Sequence, residues 1–147
     1  MDDDWERIDV GTPDIQRLRA ARTVAEEYEP LVAESTFDSP VDPQTLRLTM
    51  ATGIRGEGGR FDVTWTDGGY YKYHYTEGEA LQYRYDRHPQ SDVPEKHFHE
   101  PPDAGHDAVP SCIEVEVVAL VTLAVLQLWR DAVETGDLGR LQQSDPP

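Results

Sequence analysis

The run Tyr70-Tyr71-Lys72-Tyr73-His74-Tyr75-Thr76-Glu77-Gly78-Glu79-Ala80-Leu81-Gln82-Tyr83-Arg84-Tyr85-Asp86 alternates apolar and polar residues on both sides of a Glu77-Gly78 turn. A period of two belongs to a strand, because successive side chains point to opposite faces of a sheet. Tyr71, Tyr73, Tyr75, Leu81, Tyr83 and Tyr85 therefore share one face, and Lys72, His74, Arg84 and Asp86 share the other. Working outward toward the N-terminus, Phe61, Val63 and Trp65 alternate up to Asp67-Gly68-Gly69, and Leu46, Leu48 and Met50 alternate up to the Gly-rich stretch 53–59. Four short strands separated by tight turns over residues 45–86 predict an antiparallel meander with one apolar face.

Helical periods flank the meander. Thr12 and Pro13 form a helix-start signal, and Ile15, Leu18, Ala21, Ala25 and Tyr28 recur at spacings of three and four, so a helix is expected over 13–30, ended or bent by Pro30. Ser111 and Glu114 match a capping box, and the apolar sequence behind them predicts a long helix over 111–135 stopped by Gly136. That helix is apolar nearly all round, which requires cover on several sides: the sheet, the first helix and, as an expectation, a second copy of the chain. Residues 1–10 read as an acidic lead-in, 87–110 as a histidine- and proline-rich loop, and 138–147 as a frayed tail. The expected whole is one α+β domain over 1–147, a four-stranded antiparallel meander packed against an N-terminal helix and a long apolar C-terminal helix.

Charge bounds the environment. The formal net charge is -16, from 29 acidic against 13 basic residues, and Lys72 and Lys96 are the only lysines. Such self-repulsion is relieved by salt, so a halophilic cytoplasm is expected. The same salt would weaken any phosphate-steering basic patch, so acidity alone is a weak argument against an RNA target. A single cysteine, Cys112, excludes an internal disulfide. The acidic start is unlike a secretory leader, and the apolar run Val117 to Leu126 is about half of the roughly 20 residues needed to span a membrane. A cytoplasmic protein without membrane contact is expected.

All five histidines, His74, His88, His97, His99 and His106, fall where the strand run passes into the loop. His97 and His99 point the same way in any extended segment, with Asp103 and His106 following. Solvated loop histidines are the plain interpretation, and chelation of a metal is the sharper one. No HExxH pair or cysteine-based zinc spacing is present, and 53–59 lacks the ending of a phosphate-binding loop, so no metal and no cofactor are expected. Asp86 can orient an imidazole and Arg84 can clamp a phosphate, which makes Arg84, Asp86, His97, His99 and His74 the candidate catalytic set for acid–base chemistry. The tyrosines share the parity of the core face, so they are expected to pack beneath the helices; Tyr70 is the exception.

Lys72-Tyr73-His74-Tyr75, then Tyr83-Arg84-Tyr85-Asp86, then a proline-rich stretch leading to His97 and His99, resembles the TumE toxin family, whose members place a Tyr-Arg-Tyr/Trp-Asp segment at the end of a meander before a proline- and histidine-rich loop. The resemblance covers about residues 45–135, with its recognisable residues in 70–110. It implies a toxin of a toxin–antitoxin pair, with a helix-turn-helix antitoxin as partner and a target that the family pattern leaves open; RNA is the target expected from the acid–base set Arg84, Asp86, His97 and His99 itself. Two other classes stand beside it: a non-catalytic interaction protein of a halophile that forms a homodimer or other assembly through its apolar C-terminal helix, and a small metal-dependent enzyme.

Overall fold

The computed structural model describes residues 11–88, 95–105 and 108–142. The expected lead-in 1–10 and the end of the expected tail, 143–147, lie outside them. Helix α1 (Ile15–Tyr28) is capped by Asp14, whose side chain accepts hydrogen bonds from the Gln16 and Arg17 amides. It buries Leu18, Ala21, Val24 and Ala25. The chain then forms strands β1 (Val32–Phe37), β2 (Leu46–Met50), β3 (Gly59–Trp65), β4 (Tyr71–Glu77), β5 (Leu81–Arg87), β6 (Lys96–His99) and β7 (Val109–Pro110), followed by helix α2 (Val118–Thr135) and a 3-10 turn, Leu138–Gln142.

The seven strands make one antiparallel sheet in sequence order, β1 through β7. The α+β class matches the sequence expectation, but the four-stranded count is corrected to seven. β1 lies in a stretch between the expected helix and the meander to which no element was assigned, and β6 and β7 form inside the expected loop 87–110. β1 carries too few apolar residues to show a strand period; its Ser35 is tied to α1 through Glu26 and Arg22, and the Arg22 guanidinium lies 5.3 Å above the Phe37 ring.

One face of the sheet is covered by the two helices. Tyr71, Tyr73, Tyr75, Tyr83 and Tyr85 are all buried there with Phe61, Trp65 and Trp129. Phe61 and Tyr75 each approach the Trp129 ring of α2 at 6.4 Å between centroids. Gly59 is required at the β3 start, because a Cβ there would sit 2.1 Å from the Tyr75 hydroxyl. A one-way hydrogen-bond chain joins sheet to helix. Thr122 donates to the Val118 carbonyl at 2.8 Å, so Tyr73 donates to Thr122 Oγ1 at 2.5 Å and accepts from Trp65 Nε1 at 2.9 Å. Buried Glu77 serves the 53–57 turn, accepting from the amides of Ile54, Arg55 and Glu57 and from Tyr75.

Two further expectations are corrected. The second helix begins at Val118, with Val117 as a cap that makes no side-chain bond, and 111–117 is not helical. Ser111 donates its amide to the Lys96 carbonyl, extending the sheet, and Cys112 donates its amide to Gln142, so this segment is held at the sheet edge instead of coiling. The Ser111 hydroxyl accepts from the Ile113 amide two residues on, a local turn in place of the capping box. Residues 138–142 are not frayed: Leu141 is buried and its carbonyl accepts from Tyr85 at 2.5 Å. Gly136, at φ 72, closes α2 in the left-handed region as its sequence position implies. α2 leaves Leu120 half exposed. No helix among the described residues is long and apolar enough to cross a membrane.

Candidate functional site

The face opposite the helices carries polar side chains in rows set by strand register. One row reads Arg47, Asp62, His74, Arg84, His99 across β2 to β6, and the next reads Thr64, Lys72, Asp86, His97, Pro110 across β3 to β7. The sequence parity placed Lys72, His74, Arg84 and Asp86 on this face. The strand β6 adds His97 and His99 to it, directly opposite Asp86 and Arg84.

Asp86 is the centre of the cluster and is 0 % exposed. Its Oδ2 accepts from Arg84 Nε at 2.9 Å and lies 3.2 Å from His99 Nε2, while its Oδ1 lies 3.2 Å from His97 Nδ1. Burial pushes the Asp86 carboxyl upward, but the bonds to His97 and His99 and the charge of Arg84 outweigh it and hold the group well below the usual carboxylate range. Asp86 is therefore a carboxylate and an acceptor only. It follows that His97 carries a proton on Nδ1. Nε2 is buried without a hydrogen-bond partner among the described residues.

His99 is fixed by the same logic. Its Nδ1 lies 2.9 Å from the Gly105 carbonyl, which can only accept, so that nitrogen is also the donor. Its Nε2 is 3.0 Å from Arg84 Nη2. A neutral His99 accepts there from Arg84, and a protonated His99 turns that bond toward Asp86. The segment that supplies Gly105 is itself docked on β5, where the Gln82 amide donates to the Pro102 carbonyl at 2.6 Å and the Ala104 amide donates to the Gln82 carbonyl at 3.2 Å.

The cluster has layers. The Arg84 and His99 side chains are 27 % and 12 % exposed, whereas Asp86 and His97 lie beneath them. Of the five candidate residues, Arg84, Asp86, His97 and His99 are thus brought together. His74 is beside Arg84 across the ladder, but its Nε2 bonds to Gln82 at 2.9 Å. Burial lowers the His74 pKa, helped by Arg84 and opposed by the Gln82 bond. His106 lies outside the described residues.

His88 was not singled out by the sequence, yet it belongs here. Its amide donates to the Glu95 carbonyl, which carries the β5–β6 ladder past Arg87, so the side chain falls on the face of Asp86. Its ring centroid is 5.1 Å from that of His97. The signal was the two-residue step from Asp86 to His88, hidden when the strand was ended at Asp86.

A family model described as Toxin TumE matches residues 20–134, which includes every residue of the cluster. No curated protein and no solved structure matches the chain.

Proposed function

The chain belongs to the TumE toxin family, and on that premise we propose that it is the toxin of a toxin–antitoxin pair, acting on RNA through acid–base chemistry by its own side chains. The observation that carries this reading is the buried Asp86 carboxylate holding two imidazoles and a guanidinium. An incoming phosphodiester meets Arg84 and His99 first, as the exposed members of the cluster. Arg84 presents its guanidinium to the phosphate oxygens, a pairing that suits its planar fork. His99 Nε2 removes the proton of the ribose 2′-hydroxyl, the 2′-oxygen bonds to phosphorus, and the bond to the 5′-oxygen breaks. The leaving 5′-oxygen takes a proton from water or from an imidazolium of the same cluster. Protonated His99 then rests on Asp86, and Arg84 is released toward the phosphate. Asp86 and His97 are positioning residues in this scheme, and His74 adjoins Arg84 in the same row.

Membership of the family implies an antitoxin partner; a helix-turn-helix protein encoded next to this chain is the proposed form of it. The test has two arms. Expression of this chain alone should arrest growth and co-expression of the neighbour should restore it. Purified chain should convert RNA to fragments ending in 2′,3′-cyclic phosphate, and intact RNA after incubation with chain that still arrests growth would remove the RNA reading.

A further inference from the structure

We propose that Asp86, His88 and His97 form a binding site for a divalent transition metal of the zinc class. Each of the three offers one ligand atom, and those atoms lie within 4.8 Å of one another. All three side chains are buried: Asp86 and His97 almost completely, and His88 at 9 % exposure. Two imidazoles and one carboxylate are a donor set that suits Zn²⁺, Co²⁺ or Fe²⁺ and leaves a position open. Metal–ligand bonds of about 2.0–2.2 Å put ligand atoms about 3–4 Å apart, so closing on an ion draws the three groups together by about 1 Å.

Two features point to a ligand and not to ordinary core packing. His97 is almost fully buried, and its Nε2 lacks a hydrogen-bond partner among the described residues, a costly state for a polar ring atom unless something is bound. The donors also come from rigid positions. Asp86 and His88 are two apart on one extended stretch, and His97 faces Asp86 in the register of the next strand. On binding, Asp86 Oδ2 stays with Arg84 and His99, and Oδ1 exchanges its contact with His97 Nδ1 for the ion. Arg84 and His99 are therefore left to the outer layer. An ion here staples β5 to β6 beneath the residues assigned to RNA, and the inference does not depend on that assignment.

The full-length chain, stripped with chelator, is titrated with Zn²⁺, and with Co²⁺ as a spectroscopic probe. High ionic strength is used to suppress capture by the acidic surface. One metal per chain, a rise in melting temperature and visible Co²⁺ bands of a low-coordinate site are expected. His88→Gln should weaken binding by at least about tenfold, and His88→Cys should restore it with a new sulfur-to-cobalt charge-transfer band. His74→Gln should bind as the parent does. Absence of uptake by the parent chain overturns the proposal, and so does uptake that His88→Gln leaves unchanged. Failure here leaves the RNA assay standing, since His88 has no part in it, and failure of the RNA assay leaves the metal titration standing.

Discussion

Asp86 and His97 face each other in register across β5 and β6, with His97 Nδ1 3.2 Å from Asp86 Oδ1, and almost no surface of either residue reaches solvent. This contact joins the polar face of the sheet into one unit. Removing its charge should be felt throughout the cluster.

Asp86→Asn keeps the size of the side chain but replaces an oxygen that accepts from Arg84 or His97 with an amide that donates. Breaking a buried charged contact from one side costs about 3–5 kcal/mol. A loss of unfolding free energy of that order, read from urea denaturation, is expected, and a midpoint within error of the parent would contradict the central role given to Asp86.

Arg84 is part-exposed, so its removal should spare the fold more than it spares activity. Arg84→Ala is expected to relieve growth arrest and to slow RNA cleavage on the order of 100-fold. Arg84→Lys should not restore it, because an ammonium cannot serve Asp86, His99 and a phosphate from one plane. Circular dichroism of each variant separates loss of chemistry from loss of structure.

The His74 pKa is lowered in the folded chain by burial, with Arg84 adding to the effect and Gln82 opposing it. The unfolded chain therefore binds this proton at a higher pH, about 6.5. Stability contributed by neutral His74 is fully present above that value and is lost as pH falls from it through the folded pKa. His74→Gln should flatten this part of the curve, measured as denaturation midpoints between about pH 7.5 and pH 5. An unchanged slope would assign the dependence to another group.

Tyr73→Phe breaks the chain from Trp65 to Thr122 and leaves the Trp65 indole N–H buried without its acceptor. The cost should be about 1–3 kcal/mol. Thr122→Val should cost comparably through the Tyr73 hydroxyl, and the double variant should cost less than the sum of the two.

Net charge -16 makes stability depend on salt. Melting temperature should climb steeply with added salt before levelling off, as screening over about 8–10 Å at ordinary ionic strength shortens further. A flat salt response would remove the ground for expecting a halophilic cytoplasm.

Much of the architecture was legible because the central strands obey a strict period. Tyr71, Tyr73 and Tyr75 before the turn and Leu81, Tyr83 and Tyr85 after it alternate with half-buried polar residues, so the burial of the tyrosines beneath the helices followed from parity alone. The edges were not legible. β1, Val-Ala-Glu-Ser-Thr-Phe, is half-exposed and its few apolar positions do not alternate, with a register shift between Val32 and Glu34. β6, Lys-His-Phe-His, has a single apolar residue and takes its pairing from β5. The candidate site was legible in four of its members because Arg84 and Asp86 sit on a strand whose face could be assigned. His88 was missed because a strand continuing toward a proline-rich segment resembles a loop, and the layering of Asp86 and His97 under Arg84 and His99 depends on β6, which the sequence did not reveal.

The sheet visits its strands in chain order, and that has a kinetic consequence. Arg84 and His99 are 15 positions apart, so the polar cluster needs only a short closure, whose entropic cost grows slowly, as about 1.5RT ln n. α1 and α2 meet only after the whole sheet has been traversed, and Glu29 and Arg130, which join them, are 101 positions apart. The β5–β6 pair should therefore be native-like at the folding barrier while the helices dock later. Substitutions at Asp86 or His97 would then slow refolding, and substitutions at the Glu29–Arg130 contact would chiefly hasten unfolding.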